Sequence, residues 1–515
     1  MTDSPYRIVI LGGGTAGWMC AAGLSRLLPA ADYDITLIES DEIGTVGVGE
    51  ATLPHIKTFN DMLGLDEAEF MRATMASFKV GIEFVGWARE GERYIHPFGT
   101  FGERWAGADF QHHWARARLA GSDRRSLQDY SFAVAVCRAA GFEHPGEDPN
   151  SIRSTYAYAY HFDAGLYARY LREWTTTRGV RRLEGKVASV RRDGESGDVA
   201  ALALESGAEI AGDLFVDCSG FRSLLLGQTM GVPWHDWSEW LPCDRALALP
   251  CAGTAPMLPF TRCTAQLGGW TWRIPLQHRI GNGHVFASEF CSEEEAERTL
   301  RGAIDGEAQG EPRLLRFQAG RRGAGWAGNA VAIGLSSGFL EPLESTSIFL
   351  IQAAVTDLAA LMPRRGQRVD PRLRAEFNRL FEVHYDRTRD FIVLHYAANA
   401  REGEPLWDHV RHMALPDSLA HKIELFRESA IAPDYALGLF SRDSWLSVFE
   451  GQGVVPRAHS PIAERVPLPE VQRRLDDLAE RIAVNAAEMT PLAEFLAGTC
   501  AAEGVALPGI AASAA

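Results

Sequence analysis

The sequence predicts a mixed fold that joins an α/β layer to an α+β part and ends mainly in helices. Three observations predict it. Residues 7–11 read as a buried strand that passes through Gly12-Gly13-Gly14-Thr15-Ala16-Gly17 into a helix reaching about Leu28, and a second strand, 35–38, closes on Glu39. Much of the middle reads as strands, among them 269–275. After residue 345 the apolar spacing turns helical, with Ile348, Ile351, Val355 and Leu358 on one face.

The strand, glycine turn, helix and strand-end acid stand in the order of a Rossmann-type dinucleotide fingerprint. Gly12 permits the tight turn, Gly14 lets a pyrophosphate approach, and Gly17 lets helix and strand close up. Thr15 and Ala16 complete the turn and count with the cofactor residues. Glu39 is placed to accept from a ribose hydroxyl, which favours FAD or NAD over NADP. A second glycine loop, Gly47-Val48-Gly49-Glu50-Ala51-Thr52, lets backbone pass close to a flat ligand, or is an ordinary turn.

Further on, Phe78, Val80, Ile82 and Phe84 alternate with Lys79, Gly81 and Glu83, as in a strand with one buried face. Lys79 then lies on the opposite face, where a lone lysine is usually solvated, here beside Glu83. Residues 96–154 are rich in aromatics and glycine and suit an inserted cap; 162–174 resume a helix. A strand ending in Asp217-Cys218-Ser219-Gly220 returns to the nucleotide sheet, with Asp217 toward the cofactor. Trp270, Trp272 and Ile274 share one strand face, a pattern more often core than cofactor box.

The strand 330–333 then enters the loop 334–345, with Gly334 at its start among the cofactor residues. Ser345 or Thr346 is the natural N-cap of the next helix, whose first N–H groups lack partners and attract an anion. Glu344 sits just before it. Asp370-Pro371 opens another helix, in which His384 reads as packed core. A later helix carries Val471, Leu475, Leu478 and Ile482, and the small residues 504–515 are expected to fray. In chain order this predicts an FAD-binding segment (1–95), an inserted cap (96–155), a cofactor and mixed-sheet part (156–365), a helical substrate-side part (366–503) and a flexible tail (504–515).

Composition narrows the function. The 515 residues suggest about three domain-sized units, and 46% hydrophobic against 23% charged is ordinary for a globular chain. A net charge of −16 argues against nucleic acid and against anionic membrane as partners. The eight cysteines show no C-x-x-C pair and no metal spacing, so they are expected to stay reduced in the cytoplasm. No apolar run is long enough to span a bilayer, and the first strand begins too early for a signal peptide. His112-His113 lacks a third ligand and reads as a surface pair; no metal is expected.

Seven motifs together resemble the flavin-dependent halogenases, in the branch that includes the tryptophan halogenases. They are 12–18 (GGGTAGW), 47–52 (GVGEAT), Lys79 within Ser77-Phe78-Lys79, His161-Phe162-Asp163, Asp217-Cys218-Ser219-Gly220, 270–275 (WTWRIP) and 339–346 (FLEPLEST). They run in the family order from residue 7 to about 400. The resemblance implies a flavoprotein fold related to the aromatic hydroxylases, with helices packed over a mixed-sheet box. It implies FAD, delivered reduced by a separate flavin reductase, together with O2 and chloride or bromide. A flavin C4a-hydroperoxide oxidises the halide, and hypohalous acid passes through a tunnel to an aromatic substrate. In the family the lysine matching Lys79 holds the oxidant, and the glutamate matching Glu344 takes the proton from the arenium. Trp270, Trp272, Ile274 and Pro275 match the tunnel segment, Thr346 and Ser347 the halide site, and His96 and Phe98 the pair that sandwiches the substrate ring.

Two departures matter. The usual glycine after Glu-Ser-Thr is Ser347 here, which bears on halide preference. The family's clamp for free tryptophan, with a Tyr-Tyr pair and a Phe-Trp pair, is missing from 435–456. Indole, a substituted indole or another electron-rich arene therefore fits better, with Phe440, Trp445 and Phe449 as an apolar wall, at least one of them core. Direct hydroxylation by a flavin monooxygenase, or flavin sensing without catalysis, are the competing readings. Lys79, Glu344 and the W-x-W-x-I-P set speak against both. The chain is compatible with a homodimer.

Overall fold

The computed structural model describes residues 4–42 and 49–510. The chain divides into two interleaved units. The first comprises Met1–Thr74, Phe162–Ser238 and Phe317–Asp386; the second comprises Met75–His161, Glu239–Arg316 and Arg387–Ala515. The five consecutive segments named above are thus redistributed over two cores.

In the first unit a six-stranded sheet has the order Trp326–Ala327, Ala330–Ala332, Leu214–Asp217, Tyr6–Leu11, Tyr33–Glu39, Arg181–Glu184. All neighbours are parallel except the first pair. Parallel strands are covered on both faces, which is why 8–11 read as a continuous apolar run. One face receives the helix Thr15–Leu27, against which the helix Thr346–Ala360 packs. Gly23 permits that approach, since a Cβ there would overlap Val355. Against the other face Leu202 and Leu204, from the small sheet 187–211, pack on Val9, Leu11, Ile38 and Phe215.

The second unit is built on a seven-stranded sheet, ordered Arg313–Arg316, Arg245–Ala248, Ile280–Phe286, Gly269–Pro275, Phe260–Gln266, Gly81–Val85, Arg93–Pro97. Only the pair Phe260–Gln266 and Gly81–Val85 is parallel. The helices from Pro405–His412 to Leu492–Thr499 belong to this unit. Its core includes Trp87, against which Trp407 packs at 5.1 Å, Tyr396 at 5.3 Å and Trp270 at 6.2 Å. The indole N–H groups of Trp87 and Trp407 donate to the carbonyls of Cys263 and Gln266, so these rings are buried without an orphaned donor.

Several expectations are corrected. The stretch 78–84 is two strands, Ser77–Lys79 and Gly81–Val85, interrupted at Val80. Both faces are buried: on the side that alternation assigned to solvent, Phe98 lies against Lys79 and arginine side chains lie against Glu83. Lys79 is therefore fully buried, and Glu83 is held by Arg262 at 2.5 Å and by Arg93 at 3.5 Å. His112 and His113 are buried too: His113 stacks on Trp105 at 4.0 Å, and His112 accepts from the backbone N–H of Ser460. Burial lowers the pKa of both below the ordinary histidine value. His384 is half-buried and faces Asp357 at 3.4 Å. Asp163 caps the helix Ala164–Thr176, leaving Phe162 in a strand. Leu507 is buried, so the described part of the tail is anchored. All eight cysteines are free thiols. Among the described residues, no helix is long and apolar enough to cross a membrane, and no cluster of His, Cys, Asp and Glu could hold a metal.

Candidate active site

The cofactor candidates all belong to the first unit. Gly12 has φ +114°, which an L side chain rarely adopts, and a Cβ there would run into the carbonyl of Cys218. A Cβ on Gly17 would overlap the Gly12 carbonyl, the close helix–strand approach that the motif requires. Gly14 is extended at the N-cap of Thr15–Leu27 with no side-chain cap, so the first-turn N–H groups are left for an outside acceptor. Gly334, at φ +77°, brings its turn against Ala16, and the Thr15 hydroxyl reaches the Ala164 carbonyl at 3.4 Å. Glu39 leans over Gly13, where any side chain would overlap it. It is steered by Arg182 (2.5 Å), Arg172 (3.5 Å) and the Trp18 indole N–H (3.3 Å). The cradle therefore fits the pyrophosphate and ribose of a dinucleotide.

Asp217 does something local. One of its oxygens accepts from Ser219, through N–H and hydroxyl, and the other from the N–H groups of Leu225 and Leu226. It organises the turn behind the cradle from a fully buried position. Gly47 and Val48 lie outside the described residues; Gly49 begins the short strand Gly49–Ala51. Burial first, and Asp163 second, push the Glu50 carboxyl up to about 7.

In the same unit Pro342–Glu344 forms one 3-10 turn, and Glu344 is fully buried. Ser345 then takes the left-handed conformation, φ 58° and ψ 36°, and its side chain does not cap the helix Thr346–Ala360. Of the two expected caps, Ser345 holds the N-cap position without capping and Thr346 is the first residue of the helix, so the start carries no N-cap side-chain bond. The Thr346 hydroxyl is buried with no hydrogen-bond partner among the described residues, and Ser347 is half-buried.

The second unit holds Lys79. Its Nζ lies 5.1 Å from the centroid of Phe98, and His96 meets Phe98 edge to face at 6.2 Å. His96 also packs on Phe391 (5.5 Å) and Phe440 (6.1 Å), which stack on each other at 3.7 Å, and Trp445 meets Phe391 at 5.0 Å. Lys79 therefore adjoins one end of a continuous aromatic group.

The tryptophan halogenase family model matches residues 7–468. The chain belongs to the tryptophan halogenase family. As a member it is a flavin-dependent halogenase. It is 38% identical to tryptophan 6-halogenase SttH from Streptomyces toxytricini, over 89% of this chain and 92% of that one. Among solved structures it resembles Xcc4156, a flavin-dependent halogenase from Xanthomonas campestris, with TM-score 0.92 and 46% identity over 97% of this chain and 99% of that one. BrvH, a flavin-dependent halogenase from Brevundimonas sp. BAL3, gives TM-score 0.92 and 42% identity over 97% and 100%.

The candidates of this halogenase differ in how they join the aromatic group beside Lys79. Phe449 reaches it only through Trp445 at 5.8 Å, stacks on Phe426 at 4.5 Å and is fully buried, as a core residue would be. Trp270 is packed in the Trp87 cluster, while Trp272 is half-buried and occupies the room left by Gly283. Ile274 is buried, and the Pro275 carbonyl accepts the Ser77 hydroxyl. Phe391 is not apparent from sequence, since one phenylalanine on a long amphipathic helix carries no local signal. His161 stands within one of the seven motifs, yet the motif by itself implies no role for it.

Proposed function

We propose that this halogenase brominates or chlorinates an electron-rich aromatic such as indole or an indole derivative. Flavin reduced by a separate reductase would supply two of the four electrons that O2 takes up, and halide the other two, leaving hypohalous acid and water. Lys79 holds the electrophilic halogen by charge-assisted hydrogen bonding or as a haloamine, and Glu344 accepts the proton that the ring loses. The observation that carries this reading is the complete burial of Lys79 beside Phe98, whose ring His96 meets edge to face. Taking an ammonium out of water costs several kcal/mol, a cost that a merely solvated lysine would not incur. The helix start at Thr346 and Ser347 supports halide binding, because the Ser345 side chain does not cap it and the positive end of the helix dipole favours an anion.

Indole should be halogenated with a kcat/KM at least about tenfold above that for free tryptophan, the loss that one missing polar clamp of about 1.4 kcal/mol implies. Mass spectrometry of products from a panel of aromatics, with FADH2 regenerated and halide present, checks this; equal use of free tryptophan would overturn the substrate assignment. Product that forms without halide and carries a hydroxyl would instead indicate a monooxygenase.

Ser347 leaves the backbone donor in place but adds a side chain where the family has glycine. Bromide is expected to be used at least as well as chloride in a competition at equal concentrations. A large chloride preference in the product ratio would rule out the role given to Ser347.

A further inference from the structure

Three of the sequence motifs meet in one buried hydrogen-bond chain inside the second unit. Ser77 and Lys79 belong to the strand Ser77–Lys79, which pairs antiparallel with the strand carrying His161, with Ser77 opposite His161 and Lys79 opposite Ala159. The Ser77 hydroxyl donates to the carbonyl of Pro275, at the end of W-x-W-x-I-P, over 2.5 Å. Its single proton is thereby committed, so at 3.2 Å from His161 Nδ1 its oxygen can only accept. His161 must then carry a proton on Nδ1, and Nε2 accepts from the Thr261 hydroxyl at 2.9 Å. Ser77, His161 and Thr261 are all buried.

The residue after Lys79 is held as firmly. Val80 N–H donates to the Pro259 carbonyl at 2.6 Å, and the Val80 carbonyl accepts from Phe98 N–H at 2.8 Å. Lys79 is therefore flanked on both sides by residues whose polar groups are tied to neighbouring strands. Burial, Lys79 and Arg273 all hold the His161 pKa well below the ordinary value. Arg273 itself is paired with Asp305 at 2.6 Å.

We propose that His161 is a positioning residue for Lys79, acting through Ser77 to pin the Ser77–Lys79 strand against the Pro275 end of the neighbouring sheet. The chain Thr261–His161–Ser77–Pro275 uses each donor once, and only one histidine tautomer satisfies it. A lysine that must meet a mobile electrophile needs its backbone fixed, since a displacement of about 1 Å can cost about 10² in rate. The proposal rests on the reading of Lys79 as the residue that holds the halogen.

The test combines spectroscopy with coupling. In protein labelled with 15N-histidine, the His161 signal, identified among the 15 histidines by its loss in His161→Asn, should show the Nδ1–H tautomer. It should not titrate between about pH 5.5 and pH 8.5. Ser77→Ala should disturb that tautomer. Ser77→Ala and His161→Gln should each lower the halogenated arene formed per reduced flavin consumed by about tenfold or more, with more hypohalous acid escaping to a monochlorodimedone trap. His161→Asn, whose amide N–H can replace Nδ1–H, should restore coupling to within about threefold of wild type. An Nε2–H tautomer, a titrating His161, or wild-type coupling in both Ser77→Ala and His161→Gln would overturn the proposal. If His161→Gln does not fold, Ser77→Ala decides, since it deletes one oxygen. If wild type halogenates no arene, the functional reading fails while the spectroscopic arm still decides the tautomer.

Discussion

Replacing Lys79 with alanine is expected to abolish aryl halogenation, with a loss of at least about 10²–10⁴ in rate, while the protein still consumes reduced flavin. The expectation follows from where the residues lie. The cofactor candidates from Gly12 to Gly334 belong to the first unit, and Lys79 belongs to the second. Removing its amine leaves the glycine cradle and the open start of Thr346–Ala360 untouched. Lys79→Met, which keeps the buried volume, should be as inactive as Lys79→Ala, and that separates lost chemistry from a packing defect. Product formation by Lys79→Met at the wild-type rate, measured by chromatography against flavin oxidation followed optically, would end the Lys79 assignment.

Glu344→Gln is expected to slow halogenation by a similar factor, about 10²–10⁴. The amide keeps the shape of the side chain but cannot take a proton. Because Glu344 closes a 3-10 turn and is fully buried, water is a poor substitute for its carboxylate. Loss of the ring proton should then limit the rate, so a substrate deuterated at the halogenated carbon should show a primary isotope effect in Glu344→Gln that wild type lacks. An unchanged rate in Glu344→Gln would reduce this residue to a loop acid.

The nucleotide cradle is legible in the amino-acid sequence, because its requirements are local: a positive φ at Gly12, no Cβ at Gly17, and an acid at the end of the next strand. The helix start after Glu344 is legible for the same reason, although the left-handed Ser345 is not, since its conformation depends on the turn that precedes it. Pattern reading fails where burial is decided by distant segments. Alternation in 78–84 implies a wet face for Lys79, and the reading of His112-His113 as a surface pair fails likewise.

The sequence alone determined the turn and packing of the glycine cradle, because each of its positions has its own local steric requirement, and its seven motifs carried the resemblance to a family whose lysine and glutamate match Lys79 and Glu344. Tertiary structure alone decided that Lys79 is buried rather than solvated. It also decided that Phe391 joins Phe440 and His96, and that Ser77, His161, Thr261 and Pro275 form one chain of hydrogen bonds. Those facts depend on which strands and helices cover one another. Residues as far apart as 77 and 275 leave no trace of their meeting in the local pattern of either.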